Sequence, residues 1–123
     1  MENRRMSGSS LNKQVLRDDV LLVTLGQKLD NNNAHEMVEV ITDALDHGYR
    51  FLIVDMGDLE FLSSAGVGSF LGTVETARAA GGDIILCHVS ENINHVLKVL
   101  DVADYLTIKP SRREAETSCG IQG

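Results

Sequence analysis

The chain has 123 residues, 43% of them apolar and 24% charged, with a formal net charge of −7. That length fits one domain able to bury a core without staples, and a mean hydropathy near zero favours a soluble globular chain over a disordered one. No apolar run approaches the roughly 18–20 residues of a membrane span, and an acidic chain with no basic stripe argues against nucleic acid as partner.

Met1 to Ser10 is polar, carries Arg4 and Arg5, and reads as a flexible tail. It has no apolar stretch of the kind that opens a signal peptide, so a cytoplasmic protein with no membrane insertion is expected. Leu11 to Leu16 and Val20 to Leu25 read as two strands joined in a hairpin over Arg17-Asp18-Asp19. Gly26 breaks the second. Asp30 and Asn31 to Asn33 offer helix N-caps, and Ala34, Met37, Val38, Ile41 and Leu45 then recur at helical spacing up to Gly48. Phe51 to Met56 is an apolar run without alternation, the mark of a strand covered on both faces.

Val67, Phe70, Leu71, Val74 and Ala77 predict a second helix, closed by Gly81-Gly82. Asp83 to Val89 repeats the buried-strand pattern. Ser90 caps a third helix whose apolar face carries Ile93, Val96, Leu97 and Leu100. Tyr105 to Ile108 is a last short strand, stopped by Pro110, and Arg112 to Glu116 has room for one helical turn. The alternation predicts an α/β fold with a mixed central sheet of about four to five strands, the later ones parallel. Residues 1–10 form the N-terminal tail of this reading, 11–110 the domain, and 111–123 a polar C-terminal tail or short helix.

Cys87 lies in an apolar run and reads as a small buried hydrophobe, whereas Cys119 falls in the polar C-terminal stretch. There is no CxxC pair, and His35, His47, His88 and His95 are never three or four residues apart. Neither spacing offers a metal site, and no cofactor is expected.

The stretch Phe61 to Gly72, FLSSAGVGSFLG, holds two adjacent serines and three glycines. A phosphate cradle of the Walker type needs Lys and Ser/Thr after its last glycine, and none follows. A nucleophile elbow needs Gly two residues before the serine, where Ser64 has Leu62. What remains is a serine where a helix begins. Ser63 and Ser64 are both ordinary N-cap candidates. The first-turn amides there are unpaired and carry partial positive charge. A phosphate on either serine would meet ready donors and bring about −1.5 to −2 charge units.

DMGDLEFLSSAGVGSFLG, Asp55 to Gly72, resembles the signature of STAS domains, in particular the bacterial anti-sigma factor antagonists. Asp55, Leu59 and Phe61 match its strand part; Ser64, Ala65, Gly66, Val67 and Gly68 match its helix opening. GQKLDNNNAHEM resembles the stretch that leads into the family's first helix, with one extra residue before Leu29. The likeness spans about residues 11–110.

This resemblance implies a non-enzymatic partner switch. Unmodified protein would bind an anti-sigma factor that is also a serine kinase. That kinase would phosphorylate Ser64, with its own ATP, and the complex would part. A serine phosphatase would restore it. The family's Asp before the acceptor serine is Ser63 here, which makes Ser63 a second acceptor. Asp30, Asp58, Ser63, Ala65, Gly66, Val67 and Gly68 are the partner-facing positions this reading implies. Two other readings stay open: a STAS module that never switches and serves as a scaffold in a sensory complex or beside a transporter, and a small serine hydrolase.

Overall fold

The computed structural model describes residues 11–121. The expected tail over residues 1–10 lies outside the described residues, as do 122–123. Strands β1 (Asn12–Arg17), β2 (Val20–Thr24), β4 (Phe51–Asp55), β6 (Asp83–Cys87) and β7 (Thr107–Lys109) form one sheet in the order β1-β2-β4-β6-β7. Strand β1 pairs antiparallel with β2 through the expected hairpin, and every other pairing in the sheet is parallel. Two further strands, β3 (Lys28–Leu29) and β5 (Phe61–Leu62), pair with each other in parallel, apart from the main sheet. They are two residues each and carry no periodicity.

Helices α1 (Ala34–Asp46), α2 (Ser64–Ala79) and α3 (Glu91–Val99) lie on one sheet face, and α4 (Arg112–Ser118) lies on the other. Alternate residues of the central strands explain why these runs are apolar throughout. Leu52, Val54, Ile84 and Leu86 pack under α1 to α3 with Met37, Ile41, Phe70, Val74 and Leu97. Ile53 and Ile85, one position over, pack with Val20, Leu22, Ala115 and Cys119 under α4. Both sides of the central strands are dry, so their alternation is apolar-apolar.

The N-caps at Ser90 and Ser111 each accept a first-turn amide, from Ile93 at 3.2 Å and from Glu114 at 3.1 Å. The C-terminal part departs from the sequence reading in a strand start and in the burial of a cysteine. The last strand begins at Thr107, two residues late: Asp101, with φ 62°, ends α3, and Tyr105 lies in the turns that follow. Cys119 is 5% exposed, because α4 carries it back onto the sheet.

Burial pushes the Cys119 thiol from its ordinary 9.0 up to about 11. A thiol held neutral in the fold contributes stability that is complete below the unfolded value and is lost as pH rises through the folded one. Urea midpoints are therefore expected to fall as pH rises from 9.0 toward about 11, and to fall less steeply in Cys119→Ala. An identical slope in both proteins would contradict this.

Candidate functional site

Serines 63 and 64 stand at the start of α2, where β5 ends. The structure separates their roles. Ser63 is the N-cap: it has extended backbone, and its Oγ accepts the Gly66 amide at 3.2 Å. The same hydroxyl faces Asn31 Oδ1 at 3.5 Å. Ser64 is the first helical residue, is exposed, and its hydroxyl has no partner among the described residues. Replacing Ser63 with Ala should cost about 1 kcal/mol of stability. Denaturation midpoints of Ser63→Ala and Ser64→Ala check this, and Ser64→Ala should be close to neutral.

The helix entrance is electrically open. No acidic residue lies in the first turn of α2. The Gly66 amide is taken by the Ser63 cap, but those of Ser64 and Ala65 precede any intrahelical acceptor. The positive end of the helix dipole therefore points to solvent beside the free hydroxyl.

The β3–β5 pairing fixes this entrance against a second segment. Leu29 sits opposite Leu62, and the Ser63 amide donates to the Leu29 carbonyl at 3.0 Å. The loop into α1 is knotted by its own side chains. Asn33 Oδ1 accepts from the Asp30 amide at 2.8 Å, and Asp30 Oδ1 accepts from the Asn32 amide at 2.9 Å. Asn33 Nδ2 donates to the Lys28 carbonyl at 2.9 Å. Asp30 is thus half-buried, in one open recess with the exposed Asp58.

The sequence-derived positions divide by depth. Ser64 and Gly68 are exposed, Ser63 and Ala65 half-buried, and Gly66 and Val67 buried. Val67 belongs to the core under α2, so its side chain supports the entrance from beneath. A Cβ on Gly66 would lie 2.6 Å from the Leu29 carbonyl oxygen, whereas one on Gly68 would meet nothing within 4 Å. Gly66 allows the two loops to close on each other, and Gly68 leaves the surface low.

Sequence reasoning passed over Phe61 as a surface residue and Asn31 as a neighbour. Phe61 is 52% exposed beside the serines. The pattern Phe61-Leu62 contains the signal, since consecutive strand residues point to opposite sides and Leu62 is buried. The one group of ligand-type side chains among the described residues, Asp55 with Cys87 and His88, is separate from this entrance. Among the described residues, no helix is long and apolar enough to cross a membrane.

The sheet, covered by helices on both faces, carries the capped entrance of α2 beside the loop into α1 in one small α/β domain. Residues 13–115 match the STAS domain family, and the chain belongs to it. BtrV of Bordetella bronchiseptica is 27% identical over 101 residues, covering 82% of this chain and 84% of that protein. The anti-sigma-B factor antagonist of Staphylococcus aureus is 24% identical over 92 residues, covering 75% of this chain and 85% of its own. Among solved structures, the unphosphorylated anti-sigma factor antagonist SpoIIAA superposes with a TM-score of 0.78 at 20% identity, over 92% of this chain and 99% of that one. The phosphorylated form of SpoIIAA from Bacillus gives 0.69 at 20% identity, over 89% and 98%. The five-stranded mixed sheet with four helices is this family's fold.

Proposed function

We propose that this protein is an anti-sigma factor antagonist that acts in the cytosol as a binding protein and is switched by phosphorylation of Ser64. The observation that carries the reading is the free, exposed hydroxyl of Ser64 on the first residue of α2, one residue beyond a cap that is already occupied. The name of the Staphylococcus aureus relative supports the antagonist role. The two forms in which SpoIIAA has been solved support a phosphorylated state of such a fold.

In this reading the unmodified entrance docks on an anti-sigma factor that is also a serine kinase. Asp30, Asp58, Ser63, Ala65, Gly68 and Phe61 form the contact, with Gly66 and Val67 holding it from below. The Ser64 oxygen attacks the γ-phosphorus of ATP bound to the kinase, ADP leaves, and the hydroxyl proton passes to the kinase. The new dianion sits at the helix N-terminus, near amides that can receive it. On the interface side it meets a partner surface built for a neutral hydroxyl. A serine phosphatase hydrolyses the ester and restores the docking form.

Between the two serines, geometry favours Ser64. The Ser63 oxygen already accepts a helix amide, so a kinase would have to unmake the cap to reach it. The test is incubation with the kinase, ATP and Mg²⁺, followed by intact mass and site mapping. One phosphate on Ser64, absent from Ser64→Ala, is the expected result. No mass change, or an equal change in Ser64→Ala, would remove Ser64 from the role.

A further inference from the structure

Asp55 ends β4 and Cys87 ends β6, and the two are register partners in neighbouring parallel strands. Strand alternation sends both side chains to the α4 face, with Ile53 and Ile85. His88 then turns back over them with φ 55°, a left-handed conformation uncommon outside glycine. Its Nδ1 lies 3.1 Å from Asp55 Oδ1, and the Gly57 amide donates to the same oxygen at 2.9 Å. One ligand atom from each of Asp55, Cys87 and His88 lies within 4.8 Å of the other two.

We propose that Asp55, Cys87 and His88 are a three-ligand site for a single borderline-soft divalent cation, Zn²⁺ in the first place. A carboxylate, a thiolate and an imidazole make an O, S, N set that suits zinc and disfavours calcium or magnesium, which take oxygen alone. Zinc bonds of about 2.0–2.3 Å in a tetrahedron put neighbouring ligand atoms about 3.4–3.8 Å apart. The three groups lie within 4.8 Å of one another, so they would close on an ion with a contraction on the order of 1 Å. Two of the ligands are anionic when bound, so they neutralise the ion.

The setting is graded from inside to outside. Cys87 is fully buried, while the side chains of Asp55 and His88 are 18% and 43% exposed. The thiol lies at the buried end of the group and the other two side chains toward solvent. A bound ion would pin the end of β4 to the end of β6. The site shares no residue with the α2 entrance, so its failure would leave the switch reading untouched. The rival account is that the Asp55–His88 hydrogen bond only closes two strand ends.

The experiment is a Co²⁺ titration of the reduced, metal-stripped full chain, followed by displacement with Zn²⁺. Cobalt bound to a thiolate adds a charge-transfer band in the near ultraviolet. The band should saturate at one equivalent, persist in Cys119→Ser and vanish in Cys87→Ser. His88→Gly is a ligand deletion that suits the left-handed backbone and so keeps the fold; it should weaken binding at least tenfold. Zn²⁺ should raise the thermal midpoint of the parent chain and of Cys119→Ser, and leave that of Cys87→Ser in place. No band in the parent chain, a band retained in Cys87→Ser, or parental affinity in His88→Gly would overturn the proposal.

Discussion

Protein phosphorylated on Ser64 is expected to bind its anti-sigma factor more than a hundredfold more weakly than unmodified protein, a difference of about 3 kcal/mol. The magnitude follows from placing about −1.5 to −2 charge units where an interface would otherwise exclude water. A charge buried against a partner without a counter-ion costs several kcal/mol. Fold stability should move little, because the Ser64 side chain has no partner to lose among the described residues and the nearby helix amides can donate to an anion. Calorimetric titration of the two forms against the same partner measures the effect. Ser64→Ala should keep the tight affinity while refusing the phosphate. Ser64→Glu, with one negative charge, should fall between, at about tenfold. Equal affinity of the two forms would end the switch reading while leaving a docking module in place.

The second large effect is expected at Gly66. In Gly66→Ala the new methyl would stand 2.6 Å from the Leu29 carbonyl oxygen, 2.9 Å from Leu62 Cδ1 and 3.0 Å from Leu29 Cγ. The Leu29 carbonyl already receives the Ser63 amide, so it can retreat only by parting β3 from β5. Overpacking against backbone of this kind costs about 2–3 kcal/mol. Affinity for the partner should fall with stability, because the same movement tilts the serines. Gly68→Ala is the control. Its methyl meets open space, and alanine is the better helix former by up to about 1 kcal/mol. That variant should be at least as stable as the parent and still bind more weakly, since its methyl stands on the proposed docking face. Urea denaturation and partner titration on both variants separate the two effects. Equal stability in Gly66→Ala and Gly68→Ala would contradict the account.

The main sheet was legible because its central strands β2, β4 and β6 are apolar on both faces. Leu52 to Val54 and Ile84 to Leu86 have no other way to be buried, and Gly48 and Gly81, both with positive φ, mark where α1 and α2 stop. The β3–β5 pair was not legible. Two residues cannot show a period, and the pairing depends on Gly66 allowing the loops to meet. Tyr105 and Leu106 have strand-like side chains, yet the turns after Asp101 delay pairing until Thr107. At the site, adjacent serines gave two equivalent caps on paper. Only the backbone at Ser63, extended before the helix begins, separates cap from neighbour. The Asp55, Cys87 and His88 group escaped a search by spacing because strand register brings its members together across 32 and 33 positions.

The β3–β5 pair ties two loops to each other and to the core. The segment that enters α1 and the segment that enters α2 are riveted to each other a few residues from the hydroxyl, outside the main sheet. Leu29 and Leu62 of this bridge belong to the core, so leverage on the Asn31 side would reach Ser64 through the bridge together with the apolar packing beneath it. Volume-keeping changes elsewhere in the interior should therefore leave the hydroxyl in place, whereas changes at Leu29, Leu62 or Gly66 should shift it.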